Sequence, residues 1–182
     1  EKDFTDVDID VCIARDLKRD RVVGAGVIRG LAQQFLRAPR PEKIEGVADA
    51  VICDLDGTLA LFGNNPPYDR DFSADVPNDA VRRILTRMAI ADVRILITSG
   101  RKEKYREQTI EWLKKNNIPW HGLVMRPADK PDVKDAHLKK QWYLDIIKGY
   151  YNVLFVLDDR SQVVDMWRLL GLPCFQVDYG EF

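Results

Sequence analysis

The chain is poor in the residues that build covalent or zinc-bound frameworks. Its 182 residues include three cysteines, Cys12, Cys53 and Cys174, and two histidines, His121 and His137. No Cys-x-x-Cys pair occurs, and the number of cysteines is odd. These absences argue against a disulfide scaffold and against a zinc site. A reducing, cytoplasmic compartment is therefore expected.

A strong net charge and long apolar runs are also lacking. Lys and Arg number 28 against 29 Asp and Glu, so the formal net charge is −1. That balance excludes a uniformly basic nucleic-acid binder but not a local basic patch. Residues 101–140 form such a stretch, with eleven Lys and Arg against six Asp and Glu. No apolar run approaches the ~20 residues of a membrane span, and no signal peptide opens the chain, so no membrane partner is expected.

The composition is that of a globular protein, with 46% hydrophobic residues, and apolar strands alternate with helices. Short apolar runs rich in branched residues predict buried strands at 50–53, 94–99, 122–125, 151–157 and 175–177. Apolar residues at helical spacing predict helices at 78–91, 102–116, 135–148 and 161–170. This alternation predicts an α/β fold with a doubly wound parallel sheet.

The first 37 residues follow a different pattern. Residues 7–11 alternate like a half-exposed strand, and residues 12–18 and 27–36 have helical spacing. The charged, proline-containing stretch 37–42 indicates a linker, and a domain boundary is predicted near residues 38–47. Roughly 37 residues are too few for an independent core. The segment is therefore predicted to be either a docked appendage or the tail of a domain that has been removed.

Two aspartates and a glycine follow the first strand of the main domain. Asp54 and Asp56 leave the strand together, and Gly57 permits a sharp turn. One carboxylate can attack a phosphate, while the other protonates the leaving oxygen and later activates water. Two carboxylates approach a phosphate dianion only where charge is cancelled, so a hard divalent cation is expected.

Two other predicted strands also end in polar residues. In a doubly wound sheet the site lies beyond the carboxyl ends of the strands, so these residues should meet Asp54 and Asp56. Asp158 and Asp159 would supply further ligands for the cation. A hydroxyl from Thr98 or Ser99, and a lysine of the 130–140 stretch, would complete the charge balance.

The order of these motifs resembles the haloacid dehalogenase superfamily of phosphatases. Three segments carry the likeness: Asp54-Leu55-Asp56-Gly57-Thr58-Leu59, Ile97-Thr98-Ser99-Gly100-Arg101 and Leu157-Asp158-Asp159-Arg160. Pro67-Tyr68-Asp69 and the residues from Asp158 to Arg168 are similar to the 3′-phosphatase domain of bacteriophage polynucleotide kinase–phosphatase, over about residues 48–182. The resemblance implies a Rossmann-like, haloacid dehalogenase-type fold with a minimal cap.

The resemblance also implies roles for matching residues. Asp54 would be the nucleophile and Asp56 the general acid/base. Mg²⁺ would be held by Asp54, Asp159 and the backbone carbonyl of Asp56, with Asp158 supporting the metal directly or through water. Phosphate or substrate contacts are implied for Thr58, Ser99, Gly100, Arg101, Lys139 and Arg160.

Two positions leave this assignment open. Lys139, with Asp135 before it, best matches the spacing of the family's phosphate-binding lysine, and Lys134 and Lys140 are rivals. Asn65 stands where the phage family has an arginine shortly before the Pro-Tyr pair. The substrate contact of that arginine is therefore absent or supplied from elsewhere.

The N-terminal segment resembles the lid and final helix of the 5′-kinase domain in the same enzymes. Residues 1–40 would be a remnant of that domain and its linker, with Arg15 and Arg19 matching arginines that contact ATP phosphates. No Gly-x-x-x-x-Gly-Lys-[Ser/Thr] loop occurs, so no kinase activity is expected. The first residue, Glu1, is not Met, which favours a truncated bifunctional enzyme.

The sequence thus predicts a Mg²⁺-dependent phosphatase that acts on 3′-phosphate ends of DNA or RNA through an aspartyl-phosphate, as part of nucleic-acid end repair. The stretch from Asp56 to Thr98 already holds a helix and leaves no room for a large cap, and an open mouth suits a polynucleotide end. Two alternatives remain: a small-molecule or nucleotide phosphatase of the same superfamily, and a non-catalytic module that binds nucleic-acid ends. The resemblance also implies self-association into a homo-oligomer.

Overall fold

A five-stranded parallel sheet forms the centre of the molecule, seen in a computed structural model that describes residue 7, residues 9–63 and residues 71–180. Its strands are β1 (Asp49–Asp54), β4 (Arg94–Lys102), β5 (Gly122–Arg126), β6 (Asn152–Asp158) and β7 (Cys174–Gln176). They lie in the order β5-β4-β1-β6-β7, and every neighbouring pair is parallel. Two shorter strands, β2 (Ala60–Leu61) and β3 (Val76–Pro77), form a separate antiparallel ladder.

Helices cover both faces of the sheet: α3 (Asp79–Ile90) and α4 (Arg106–Lys115) lie on one face, and α5 (Asp135–Trp142) and α6 (Ser161–Leu169) lie on the other. Two N-terminal helices, α1 (Ile9–Asp16) and α2 (Ala25–Phe35), lie outside this layer, and α2 packs on α6. None of the helices in the described part of the chain has the length and apolarity needed to cross a membrane.

The side chains of β1 alternate between two apolar cores. Val51 and Cys53 face one core, where the buried residues of α3 and α4 include Leu85 and Trp112. Ala50 and Ile52 face the other, which contains Trp167 of α6. Burial on both faces explains why the strand reads as a continuous apolar run. The predicted doubly wound parallel sheet is confirmed.

Most element predictions are confirmed within a few residues, and the differences have local causes. Of the strand predicted over residues 7–11, residues 9–11 are helical, because Ile9 already begins α1. Ile9, Cys12 and Ile13 are partly buried at helical spacing, a pattern that five alternating residues could not reveal. The strand predicted to stop at Gly100 continues to Lys102 with an irregularity after Ser99, and a 3₁₀ turn, Glu103–Tyr105, precedes α4.

Two further differences concern the ends of elements. The helix predicted over 135–148 ends as α5 at Trp142 and continues as a wider π-type turn, Tyr143–Ile147. The β2–β3 ladder was not predicted, because two-residue strands carry no periodic signal. The Pro67-Tyr68-Asp69 segment, Asn65 and the last two residues lie outside the described part of the chain.

The N-terminal segment packs against α6. Arg29 Nε lies 3.3 Å from Asp165 Oδ2, and Gln33 Nε2 donates to the Asp165 carbonyl at 3.1 Å. The linker follows the end of the same helix, where the Ala38 amide donates to the Leu169 carbonyl at 2.8 Å. Gly171 has a φ of 80°, and a Cβ there would overlap the Pro39 carbonyl. The part of the segment from α2 to the linker is therefore docked on α6, while the origin of the segment in a kinase domain stays a prediction.

Candidate active site

Three adjacent strands deliver the predicted site residues to one edge of the sheet. β1 lies between β4 and β6, with Asp54 paired in register with Thr98 of β4. Asp158 ends β6 and Asp159 follows it. Because the three strands are parallel, their carboxyl ends meet at this edge. The sheet topology therefore brings residues from distant parts of the sequence into one cluster.

The turn after β1 is closed by its own backbone. Gly57 has a φ of 83°, which L side chains rarely adopt, and its amide donates to the Ala60 carbonyl at 3.0 Å. The turn directs Thr58 back towards β6, where its hydroxyl Oγ1 donates to Asp159 Oδ1 at 2.9 Å. Thr58 is fully buried. Its hydrogen bond therefore holds the Asp159 carboxylate in position.

A single buried lysine holds the acidic cluster together. Lys139 Nζ lies 2.6 Å from Asp54 Oδ1, 2.9 Å from Asp158 Oδ2 and 3.3 Å from Asp135 Oδ2. The lysine side chain is 0% exposed and that of Asp54 is 5% exposed. Such short contacts between buried opposite charges are the strong class of hydrogen bond.

The protonation behaviour of the cluster follows from burial and from charge. Burial raises the pKa of Asp54 well above its usual value, and Lys139 offsets part of that rise. Burial and neighbouring Asp158 raise the pKa of Asp159 to about 6, against the opposing hydrogen bond from Thr58. Burial alone would lower the pKa of Lys139, but the carboxylates of Asp135, Asp158 and Asp54 outweigh it and raise the pKa overall. A single lysine does not neutralise all of these carboxylates. Excess negative charge therefore remains in a buried region, where it is unfavourable.

The excess charge fits a hard divalent cation. Asp54, Asp158 and Asp159 each offer a carboxylate oxygen, and these oxygens lie within 4.8 Å of one another. All three residues are buried. Carboxylate oxygens are the ligands that Mg²⁺ takes in proteins, and a cation here would offset the penalty of burying several carboxylates together. The residues present therefore fit the expected ion.

Arg101 binds Asp56, the second aspartate after β1. Its Nε and Nη2 donate to Asp56 Oδ2 and Oδ1, both at 2.8 Å, and Nη2 also donates to Asp75 Oδ2 at 2.7 Å. The guanidinium lies 3.9 Å from the centre of the Phe72 ring. The Arg101 side chain is 1% exposed, whereas that of Asp56 is 17% exposed. Arg101 thus orients Asp56 from the buried side, and the Asp56 side chain remains partly exposed to solvent.

The remaining predicted residues form a supporting layer. Ser99 is buried, and its Oγ accepts from the Arg101 amide at 3.1 Å. The carbonyl of Gly100 accepts from Arg126 Nε at 3.0 Å. The Arg160 amide donates to Asp158 Oδ1 at 3.2 Å, and its Nη1 lies 3.9 Å from Asp135 Oδ2. The Gly100–Arg126 contact joins the ends of β4 and β5, and Arg160 joins the end of β6 to α5.

The structure separates the rival lysines by burial. Lys139 lies on the inner face of α5, while Lys140 is exposed and Lys134 pairs with Asp10 of α1 at 2.7 Å. Arg15 and Arg19 lie on the N-terminal segment, both exposed, and take no part in the cluster. Their predicted origin as ATP-binding arginines stays a prediction, as does each catalytic role given above.

Three residues of the site were not singled out from the sequence. Asp75 and Phe72 come from the stretch before β3, and Arg126 ends β5. Asp75 is fully shielded between Arg101 and Trp112, whose Nε1 donates to the Asp75 carbonyl at 2.8 Å. No periodic pattern marks Asp75 or Phe72. Arg126, by contrast, follows a predicted strand, and its place at a carboxyl end was the available signal.

Comparison with known proteins gives the family. Residues 48–182 match the family described as the polynucleotide kinase PNKP phosphatase domain. A protein of Autographa californica nuclear polyhedrosis virus, named as a bifunctional polynucleotide kinase/RNA ligase, is 36% identical over 192 residues, which cover 97% of this chain and 27% of the viral protein.

Solved structures agree with that match. A chain of the Pnkp1/Rnl/Hen1 complex is 42% identical with a TM-score of 0.74, covering 78% of this chain and 50% of that one. A chain of the Pnkp1/Rnl/Hen1 RNA repair complex is 35% identical with a TM-score of 0.75, covering 97% of this chain and 64% of that one. The class C acid phosphatase of Bacillus anthracis, at 17% identity and a TM-score of 0.50 over 65% of this chain and 54% of that one, shares the fold.

The chain spans about a quarter of the viral relative and between half and two thirds of the two repair-complex chains. The match over residues 48–182 takes in the sheet and every strand-end residue of the acidic cluster. The chain is a phosphatase with the haloacid dehalogenase fold and belongs to the family of polynucleotide kinase phosphatase domains.

Proposed function

We propose that the chain hydrolyses 3′-phosphate ends of DNA or RNA, with Mg²⁺ as cofactor and an aspartyl-phosphate as intermediate. Membership of the polynucleotide kinase phosphatase-domain family supports a nucleic-acid end as substrate. The observation that carries the proposal is the contact of 2.6 Å between Lys139 Nζ and Asp54 Oδ1 inside the acidic cluster. This contact supports the proposal because Lys139 donates a charge-assisted hydrogen bond to the carboxylate that would attack, and the phosphate would bind beside that carboxylate.

In the first step Asp54 would act as the nucleophile. One of its carboxylate oxygens forms a bond to phosphorus, and the bond between phosphorus and the ribose 3′ oxygen breaks. Asp56 donates a proton to that leaving oxygen, so a free 3′ hydroxyl departs. Asp56 is more exposed than Asp54. This exposure suits a residue that exchanges protons with the substrate and with water.

In the second step water would release the phosphate. Asp56 takes a proton from a water molecule, whose oxygen attacks phosphorus and displaces the Asp54 carboxylate. Free Asp54 and inorganic phosphate result. Arg101 donates hydrogen bonds to both carboxylate oxygens of Asp56 and fixes its orientation. Because each oxygen has further lone-pair sites, these bonds do not block proton transfer.

Charge balance in both steps would come from the cluster itself. Asp54, Asp158 and Asp159 would hold Mg²⁺, and Lys139 would bind the transferred phosphoryl group together with Asp54. When bound, the cation neutralises phosphate oxygens and lets an anionic nucleophile approach an anionic substrate. Thr58 and the Arg160 amide keep Asp159 and Asp158 in place for that purpose.

The surroundings of the site suit a long substrate. Between β1 and α3 the described residues form the β2–β3 ladder and a 3₁₀ turn, Phe72–Ala74, and no separate cap domain. Lys102 and Lys104 are exposed where β4 ends, beside the site. The lack of a cap domain among the described residues and the exposed lysines together favour a polynucleotide over a small metabolite that needs enclosure.

The test is release of inorganic phosphate from a 3′-phosphorylated oligonucleotide, in Mg²⁺ and in EDTA. We expect turnover in Mg²⁺, none in EDTA, and none with Asp54→Asn. Nucleoside monophosphates and an aryl phosphate serve as competing substrates. Faster hydrolysis of these small substrates than of the oligonucleotide would favour a small-molecule phosphatase, and binding of the oligonucleotide without hydrolysis would favour a non-catalytic end-binding module.

We further propose that the domain acts within a larger end-repair enzyme. The viral relative is named as a polynucleotide kinase/RNA ligase, and the structural relatives belong to an RNA repair complex. A kinase or ligase partner on the same substrate would explain why ends are dephosphorylated here. Self-association of the chain is part of this proposal and can be measured by analytical ultracentrifugation.

A further inference from the structure

A recess opens next to the acidic cluster. Its volume is about 220 Å³, and Asp159 forms part of its wall. Gly57 and Leu61 line it from the loop after β1, and Tyr179 and Gly180 line it from the tail after β7. Because Asp159 borders both the recess and the acidic cluster, a group bound in the recess would be an immediate neighbour of the phosphate.

The tail that carries Tyr179 is fastened to the backbone of β6. The Val177 amide donates to the Asp158 carbonyl at 3.0 Å, and the Gly180 amide donates to the Asp159 carbonyl at 3.1 Å. The same Asp159 carbonyl accepts from Gln176 Nε2 at 2.9 Å. Tyr179 therefore sits between two fixed points, and its position relative to Asp159 is set by main-chain bonds.

Tyr179 itself is left uncovered by this arrangement. It is 84% exposed, the highest value among the exposed large apolar and aromatic residues of the described chain. Leu61, 37% exposed, lies in the wall of the same recess. An aromatic ring on a fixed backbone, open to solvent and beside an apolar side chain, is the usual platform for a nucleic-acid base.

The negative charge of the residues that line the recess determines which part of a polynucleotide can bind there. Asp159 and Asp178 both line the recess, and Asp178 Oδ1 accepts from the Tyr179 amide at 2.7 Å. Asp178 is not among the residues that would hold the cation, so its carboxylate would repel a backbone phosphate from the recess. It tolerates a neutral, planar base. The base of the terminal nucleotide is covalently the nearest such group to the 3′-phosphate.

We propose that Tyr179 stacks on the terminal base of the substrate and so selects a nucleoside 3′-phosphate over other phosphomonoesters. This inference rests on the proposed function, because it requires the phosphate at Asp54 to belong to a polynucleotide end. It assigns Tyr179 to substrate binding, away from the chemical steps. Its loss therefore raises KM for an oligonucleotide and leaves the hydrolysis of a small aryl phosphate unchanged.

The experiment combines a protein change with a substrate change. Wild type, Tyr179→Ala and Tyr179→Phe are assayed on a 3′-phosphorylated oligonucleotide, on the same oligonucleotide with a stable abasic analogue as its last residue, and on an aryl phosphate. The matched control is Tyr150→Ala, since Tyr150 is also exposed, at 68%, but precedes β6 and so lies at the opposite edge of the sheet.

We expect Tyr179→Ala to lower kcat/KM for the intact oligonucleotide roughly 5- to 150-fold, the range found for single base-stacking aromatics. Tyr179→Phe and Tyr150→Ala should match wild type. Removing the terminal base should cost wild type a similar factor and cost Tyr179→Ala nothing further. Unchanged turnover of the aryl phosphate separates this effect from damage to Asp159.

Two results would overturn the inference while leaving the proposed function standing. One is equal oligonucleotide turnover by wild type and Tyr179→Ala. The other is an effect of Tyr179→Ala that persists in full on the abasic substrate. Wild type that hydrolyses the aryl phosphate but not the oligonucleotide would instead refute the proposed function, and the stacking role with it.

Discussion

Arg101 binds Asp56 through two hydrogen bonds of 2.8 Å, one to each carboxylate oxygen. The sequence suggested that Arg101 touches the phosphate or the nucleic-acid end. Its side chain is instead 1% exposed, and the Nη2 that binds Asp56 is also held by Asp75. The geometry favours a positioning role, in which Arg101 acts on the substrate only through Asp56.

Arg101→Ala and Arg101→Lys should therefore impair all substrates alike. Without the fork of two bonds Asp56 loses its fixed orientation, and we expect kcat to fall about 100-fold or more, the usual contribution of general acid–base catalysis. The measurement compares kcat on a 3′-phosphorylated oligonucleotide and on an aryl phosphate, with the exposed Arg83→Ala as control. A loss confined to the oligonucleotide would restore the substrate-contact interpretation.

Asp54→Asn should abolish turnover without harming the fold. Asp54 is one of several buried carboxylates whose pKa burial raises, so a neutral amide of the same size removes excess negative charge. Loss of a nucleophile typically costs on the order of 10⁴-fold or more in rate. We expect a melting temperature in EDTA equal to or above that of wild type. Appreciable residual turnover by the pure variant would remove the covalent mechanism.

Lys139→Met should destabilise the protein in a way that Mg²⁺ reverses. Asp54, Asp135 and Asp158 all lose their shared cation, and breaking a buried ion cluster costs about 3 kcal/mol or more. A divalent cation bound by Asp54 and Asp158 would restore part of that loss. Urea unfolding in EDTA and in Mg²⁺ measures both effects. The exposed Lys140→Met is the control, and identical unfolding of the two variants would contradict the prediction.

The main site was predictable because it depends on topology alone. A buried apolar run followed by Asp54 and Asp56 marks a strand end, and parallel pairing carries Asp158 to the same edge whatever the loops do. Family spacing favours Lys139 over Lys134 and Lys140. The structure gives a physical criterion, since Leu138 and Lys139 share the buried face of α5 while Lys134 and Lys140 do not.

The parts that were not predicted depend on side-chain direction and on irregular backbone. A sequence places Arg101 at a strand end but does not say that its guanidinium turns inward to Asp56 and Asp75. Asp75 reaches the site only because the β2–β3 ladder folds the loop back on α4. The Tyr179 recess exists because the tail bonds to the Asp159 carbonyl. None of these features has a repeating pattern along the chain.

Gly180→Ala should weaken the use of Mg²⁺. A Cβ at this position would overlap the Asp159 carboxylate, so either the tail or the carboxylate must move. Displacing groups that orient a metal ligand typically costs about 10-fold or more in metal affinity. We expect a higher Mg²⁺ concentration at half-maximal phosphatase activity. Gly30→Ala is the control, because a Cβ there meets nothing within 4 Å, and an equal Mg²⁺ requirement in both variants would refute the argument.

The N-terminal helices should come apart first as the pH falls, because one carboxylate closes the loop between them. Asp16 accepts from the Gly24 amide at 2.8 Å and the Val23 amide at 3.1 Å, and these bonds lower its pKa. The stabilisation is therefore complete above the usual pKa of about 4 and is lost as the pH falls through the lower folded-state pKa. Hydrogen exchange at Val23 and Gly24, corrected for the intrinsic rates, should show protection that fades in this range. Asp16→Ala should lack this protection already at neutral pH. The control Asp20→Ala should keep it. Equal protection in the two variants would show that Asp16 does not hold the loop.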